Sequence, residues 1–322
     1  MKQTKGWVFA LFILLLLGTA SANCNRTQAD ELMNPFMRQM IFERVWATVK
    51  DNYVYPDFHG LNWQDSKEVF SQEILTAPTN AAFYKTVDAM IYALGDDHSV
   101  YFAPWESCLE ASVQEDSSNE SPIIELKRLE QDPNTVLVTL KHFDTLSLDE
   151  DFSLLLRQAF KEGSFDTLIL DLRHNFGGYL DTALNILGQF YYGKVGYEID
   201  QNGVYPLTAA PGKYYRRLED TRLIVLVDHE SHSAAEIVAG VLQLERDATV
   251  IGSPSAGNTE IVLPYDFFDG SRLWLAVSSF NLRDGTNLEG QGVIPDILVE
   301  DESLVFDRVL EFLADQDKLV SR

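Results

Sequence analysis

Residues Leu223–Gly240, LIVLVDHESHSAAEIVAG, force a change of backbone periodicity within a short stretch. Leu223 to Val227 is an apolar run rich in β-branched side chains and too short for a comfortable helix, so it reads as a buried strand. Asp228, His229 and Glu230 break that run. From Ser233 onward Ile237, Val238, Val241 and Leu242 recur at helical spacing, so a helix starts at or just after Ser233. A hydroxyl at that position sits beside unpaired backbone N–H groups, which hold an oxyanion when a serine attacks a carbonyl. Ser233-Ala-Ala-Glu236 equally fits a capping box. On this stretch alone, capping and nucleophilic chemistry both stay open.

A second strand-to-helix junction lies at Asp166–Leu180, DTLILDLRHNFGGYL. A buried strand ends near Leu172, and Leu180 to Phe190 is apolar at helical spacing. Between them the pair Gly177-Gly178 allows close approach of backbone and can offer an N–H to an anion. A plain turn is the other reading. Asp171 and Arg173 read as an ion pair that anchors this turn.

The elements around these junctions set the fold class. Met33–Val49, Asn62–Ile74 and Thr79–Leu94 carry helical patterns, a small N-terminal bundle over residues 23–111. It closes on Gly95-Asp96-Asp97-His98, a turn that presents a histidine. An acidic, serine-rich linker follows at 112–122. Beyond it, strands at Ile123–Leu129, Thr135–Lys141 and Asp166–Leu172, with a helix at Asp149–Glu162, predict an α/β core over 123–322 with a largely parallel sheet.

Composition narrows the partners. With 25 Lys+Arg against 49 Asp+Glu, a net charge of −24 argues against nucleic acid and predicts no attraction to anionic lipid. Lys2 and Lys5 precede the apolar run Trp7–Leu17, and Ala20-Ser21-Ala22 has the small residues of a cleavage site, so residues 1–22 read as a secretory signal. That run is shorter than a transmembrane helix requires, so no membrane span is expected after cleavage. The expected location is extracytoplasmic, periplasmic or secreted. Cys24 is close enough to the cleavage point to raise lipid anchoring, although Ser21-Ala22-Asn23 fits a lipoprotein signal poorly, and it has Cys108 as its one potential disulfide partner. No Cys/His spacing resembles a zinc site.

Four blocks in order, LILDLRHNFGG, SHSAAEIVAG, IGSPSAG and DGTNLEGQGVIPDI, resemble the tail-protease family of serine peptidases, family S41. That family includes the C-terminal processing proteases, the tricorn core and the retinoid-binding-protein modules, and the likeness runs from about Asp96 to Val299. The resemblance implies a crotonase- or ClpP-like α/β core behind the helical bundle. It places the nucleophile on Ser233 and the oxyanion donors on the backbone of Gly177, Gly178 and Ala234.

Two departures define the branch. The processing proteases take their general base from a lysine in the turn that here reads Gly252-Ser253-Pro254-Ser255-Ala256-Gly257-Asn258, and Asn258 stands at the lysine position. An asparagine amide does not accept the serine proton. The stretch Cys108–Gln131 is too short for the PDZ domain that this branch inserts. The tricorn-like branch uses a histidine from the helical region and a glutamate late in the core, which the resemblance places on His98 and Glu289. A histidine is a suitable base for a serine, with a carboxylate to orient it.

The resulting expectation is an exported serine peptidase acting on peptides or unfolded protein through Ser233, His98 and Glu289, without metal or organic cofactor. Two rival readings are a catalytically silent module of the same fold that binds an apolar ligand or peptide, and an acyl-CoA enzyme, against which export argues.

Overall fold

The computed structural model describes residues 33–107 and 122–320. The signal segment, Cys24, Cys108, residues 112–121 of the acidic linker and most of the stretch available for a PDZ domain fall outside these residues. No described helix is long and apolar enough to cross a membrane.

N-terminal helices are followed by an α/β core, as the sequence predicts. Along the chain come α1 (Pro35–Asn52), α2 (Trp63–Thr76), α3 (Asn80–Tyr92), β1 (Val100–Phe102), β2 (Ile124–Arg128), β3 (Thr135–Leu140), α4 (Leu148–Glu162), β4 (Thr167–Asp171) and α5 (Leu180–Leu187). Then follow β5 (Gly193–Asp200), β6 (Gly203–Ala209), α6 (Tyr215–Leu218), β7 (Arg222–Val227), α7 (Ala234–Arg246), β8 (Thr249–Gly252), β9 (Ile261–Asp266), β10 (Arg272–Leu282), β11 (Ile297–Leu298) and α8 (Val305–Val320).

The described residues form two compact units, one comprising 33–107, 200–203 and 261–278, the other 122–199, 204–260 and 279–320. The boundary therefore differs from the contiguous division at 111–123 that composition indicates. Strand pairing is the reason: β10 runs antiparallel to β1, with Tyr101 opposite Leu273, and to β9, with Leu273 opposite Tyr265. Leu273, Leu275 and Ala276 of β10 are buried with Ile41, Val45 and Val49 of α1 and Phe83 and Val87 of α3. The N-terminal unit is thus a helical cluster completed by strands from late in the chain. Arg38, buried in α1, donates to the carbonyl of Ala77 at 2.6 Å and so covers the end of α2.

The second unit is built on a six-stranded sheet in the order β11-β8-β7-β4-β3-β2, parallel except for the β2–β3 pair. Its central strands alternate strictly. Val136, Val138, Leu168, Leu170, Val225 and Val227 face a core shared with α4, α5 and α7. Leu137, Ile169, Ile224, Leu226 and Ile251 face the opposite way, against Val305, Val309 and Leu313 of α8. Apolar residues on both faces are what a sheet covered on two sides requires. Ser279–Leu282 of β10 pair with β5 in this same unit.

Candidate active site

The parallel neighbours β4 and β7, paired in register from Thr167 opposite Arg222 to Asp171 opposite Leu226, end side by side, so the turns that follow them are brought together. Ligands of open α/β sheets bind at this carboxyl edge. Asp171 holds Arg173 through two hydrogen bonds, from Nε at 2.8 Å and Nη2 at 2.7 Å, which confirms the anchoring pair read from sequence. Asn175, fully buried, donates from Nδ2 to the carbonyl of Leu140. Its own carbonyl accepts from the N–H of His232 at 2.8 Å, closing the β4 turn onto the β7 turn.

Ser233 stands immediately before α7 with φ 51° and ψ −116°. Few non-glycine residues occupy that region, and such strain gathers at functional sites. A strand, a sharp strained turn and a helix led by the serine follow the same backbone order as the nucleophile elbow of serine hydrolases. Gly177 presses against it: a Cβ built on Gly177 would stand 2.8 Å from Ser233 Cβ and 2.9 Å from the His232 carbonyl. Glycine is required there by close approach and by its φ of 89°.

The two glycines differ. Gly177 N–H donates to Asn175 Oδ1 at 2.9 Å, so it is engaged within its own turn. Gly178 forms a bridge with Phe143 in which Gly177 O accepts from Phe143 N–H and Phe143 O accepts from Tyr179 N–H, a pairing that does not use the Gly178 N–H. Ala234, as the first residue of α7, has its N–H outside the intrahelical ladder.

The sequence pattern assigns Glu236 a capping role, and its reach is wider. Fully buried, its carboxylate accepts from Ser255 Oγ at 2.6 Å, Gly257 N–H at 2.6 Å, Asn258 N–H at 2.8 Å and Ser233 N–H at 3.0 Å. Burial pushes its carboxyl above the usual glutamate range, opposed by those same hydrogen bonds. Ser233 N–H also donates to the Asn258 carbonyl at 2.8 Å. Glu236 therefore ties the serine to the 253–259 turn. Its signal in the sequence was its place on α7, apolar nearly all round, where an acid must be buried and so must be paired.

Glu289 is fixed to the same turn, its Oε2 accepting from Thr259 N–H at 2.7 Å and Thr259 Oγ1 at 3.3 Å. Gly290 N–H donates to the Gly257 carbonyl at 2.8 Å. Ser231, the other serine of the motif, is fully buried, with Oγ donating to the Leu172 carbonyl at 2.7 Å and accepting from Asp228 N–H at 3.0 Å. His98 belongs to the N-terminal unit, where Asp96 Oδ1 accepts from the N–H groups of His98 and Ser99 while Asp96 Oδ2 accepts from Tyr53 Oη. Within the second unit, Ser233, Gly177, Gly178, Ala234 and Glu289 thus lie on one connected set of turns.

Residues 134–299, just over half of the chain, match the model of peptidase family S41. The chain belongs to peptidase family S41. The S41 match is preceded by one to the tricorn protease C1 domain at residues 37–91, and the two bear out the resemblance carried by the four sequence blocks. A carboxy-terminal-processing protease of Bartonella bacilliformis is 36% identical over 137 residues, which is 41% of this chain and 30% of that one. The corresponding protease of Synechocystis is 29% identical over 155 residues, 48% and 35% of the two chains. This chain spans about a third of the length of these curated S41 relatives. The solved photosystem II D1 C-terminal processing protease superposes with a TM-score of 0.66 at 16% identity, over 83% of this chain and 94% of that one, a likeness of fold.

Proposed function

We propose that this S41 member is an exported serine peptidase in which Ser233 attacks the carbonyl of a peptide bond. The observation that carries the reading is the backbone of Ser233, held at φ 51° and ψ −116° between a buried strand and a buried helix. A serine that merely caps a helix adopts extended backbone and has no need of that strain. The N–H groups of Gly178 and Ala234 receive the oxyanion, Gly177 serving to let the two turns approach. His98 takes the proton from the serine and returns it to the leaving amine, and Glu289 supports the polar network around it. The substrate is a peptide or an unfolded segment, and the names of the relatives support cleavage near a carboxyl terminus. No metal or organic cofactor takes part in this chemistry.

A fluorophosphonate probe on the purified protein tests the reading. Labelling is expected at Ser233 and is expected to vanish in Ser233→Ala, together with peptide hydrolysis. A folded wild-type protein that neither labels nor cleaves an unstructured peptide would return the chain to the silent, ligand-binding alternative.

A further inference from the structure

His174, Asp228 and Glu230 form a cluster that the peptidase chemistry does not use. His174 follows β4, and Asp228 and Glu230 follow β7, so the two adjacent parallel strands deliver them to one edge. His174 Nδ1 lies 3.2 Å from Asp228 Oδ2 and 2.5 Å from Glu230 Oε2. The three donor atoms lie within 4.8 Å of one another. Asp228 is only 4% exposed. Its Oδ1 accepts from the N–H groups of His174 and Glu230 and lies 3.2 Å from Ser231 Oγ, whereas its buried Oδ2 receives no hydrogen bond.

Three carboxylates, those of Asp228, Glu230 and Glu302, share the two ring nitrogens of His174. The nitrogen that pairs with the buried Asp228 Oδ2 is His174 Nδ1, 3.2 Å away and closer still to Glu230, and a buried carboxylate oxygen left without a hydrogen bond is destabilising. A single proton on Nδ1 serves Glu230 or Asp228, not both. The adjacent guanidinium, Arg173, is committed to Asp171 through two hydrogen bonds and reaches Glu302 only at 3.6 Å. A divalent ion satisfies all three donors together.

We infer that His174 Nδ1, Asp228 Oδ2 and Glu230 Oε2 bind a divalent cation of the zinc or manganese kind. One imidazole with two carboxylates is a mixed nitrogen and oxygen set, suited to these ions rather than to calcium or magnesium, which prefer oxygen alone. Ligation through Nδ1 requires the ring proton on Nε2. Glu302 Oε1 lies 2.8 Å from Nε2 and is the outer carboxylate that holds this tautomer, as metal-binding histidines require. The backbone supports the placement: His174 has φ 57°, a left-handed conformation that its N–H bond to Asp228 Oδ1 secures. The ion joins the turn that carries Gly177 and Gly178 to the turn that carries Ser233, and its role is to fix their spacing.

The assignment is independent of the peptidase reading, because its readout is binding. The full-length protein, stripped with EDTA, is titrated with zinc chloride, manganese chloride and magnesium chloride by calorimetry, with thermal unfolding in parallel. One site for zinc or manganese and a raised Tm are expected, with magnesium weaker. His174→Asn, which tolerates the left-handed backbone, and Glu230→Gln are expected to abolish binding. Glu302→Gln, distant from the ion, is expected to weaken it by about 10- to 100-fold. Circular dichroism without metal establishes that each variant is folded; if the ligand variants fail to fold, Glu302→Gln carries the test. No binding by wild type, or equal affinity in His174→Asn, Glu230→Gln or Glu302→Gln, overturns the assignment.

Discussion

Asn258 occupies the position at which the processing proteases carry a lysine, yet it contributes to the site through its main chain: its N–H donates to Glu236 and its carbonyl accepts from Ser233. Truncating its side chain leaves both bonds in place. Asn258→Ala is therefore expected to keep most of the wild-type kcat/KM, while His98→Ala loses about 10²-fold or more if the imidazole is the base. The reverse order, measured on an unstructured peptide, would exclude His98. A histidine base acts when neutral, so kcat/KM is expected to rise with pH along an ionisation limb. That limb is expected to disappear in His98→Gln. Ser231 gives a different expectation, because its hydroxyl is consumed by Leu172 and Asp228. Ser231→Ala keeps the nucleophile but leaves buried groups unpaired, so activity persists while denaturant unfolding shows a loss of about 1–3 kcal/mol.

At the scale of elements, the helix α7 and the 253–259 turn meet through one carboxylate. All four partners of Glu236 are donors. Glu236→Gln turns one acceptor into an NH₂ facing N–H groups, and is expected to lower stability by about 1–3 kcal/mol and to reduce kcat/KM as Ser233 and the turn separate. Acid acts on the same group with two signs. Because burial raises the Glu236 carboxyl above its unfolded value, the protonated form is the one that folding favours: its contribution to stability is full below the unfolded value and is lost as pH rises through the folded one. Protonation nevertheless removes an acceptor from the turn. Activity is thus expected to fall at a pH above the ordinary glutamate range, before the fold is lost, which parallel rate and circular dichroism measurements will separate. Gly177→Ala tests the junction from the other side. A φ of 89° and a Cβ 2.8 Å from that of Ser233 leave no room, so activity is expected to collapse.

At the scale of the molecule, Leu273, Leu275 and Phe267, all from the C-terminal half of the sequence, are core residues of the N-terminal unit. Removing residues 1–122 takes away their partners on α1 and α3 and leaves only those within 261–278. A fragment of residues 123–322 keeps the whole core of the second unit but exposes these side chains, so it is expected to bind a hydrophobic dye that the intact chain does not bind. A fragment that binds no more dye than the intact chain would contradict the division into units.

Elements whose own pattern decides their state were legible before any coordinates. The β4, β7, α4 and α7 segments lie within a residue or two of their expected places at their starts, because strand alternation and helical spacing are local properties of burial. Ser233 and the glycine pair were legible for a related reason, since they lie where strand periodicity gives way to helix. The strands β9 and β10 were not, and neither was the discontinuous N-terminal unit, because antiparallel pairing between Tyr101 and Leu273 joins residues far apart in sequence. Nor does the sequence distinguish Gly177 from Gly178, or show that Glu236 gathers four donors. Those facts depend on where separate turns are placed at the carboxyl edge of a folded sheet, and only the packing of that sheet brings the turns together.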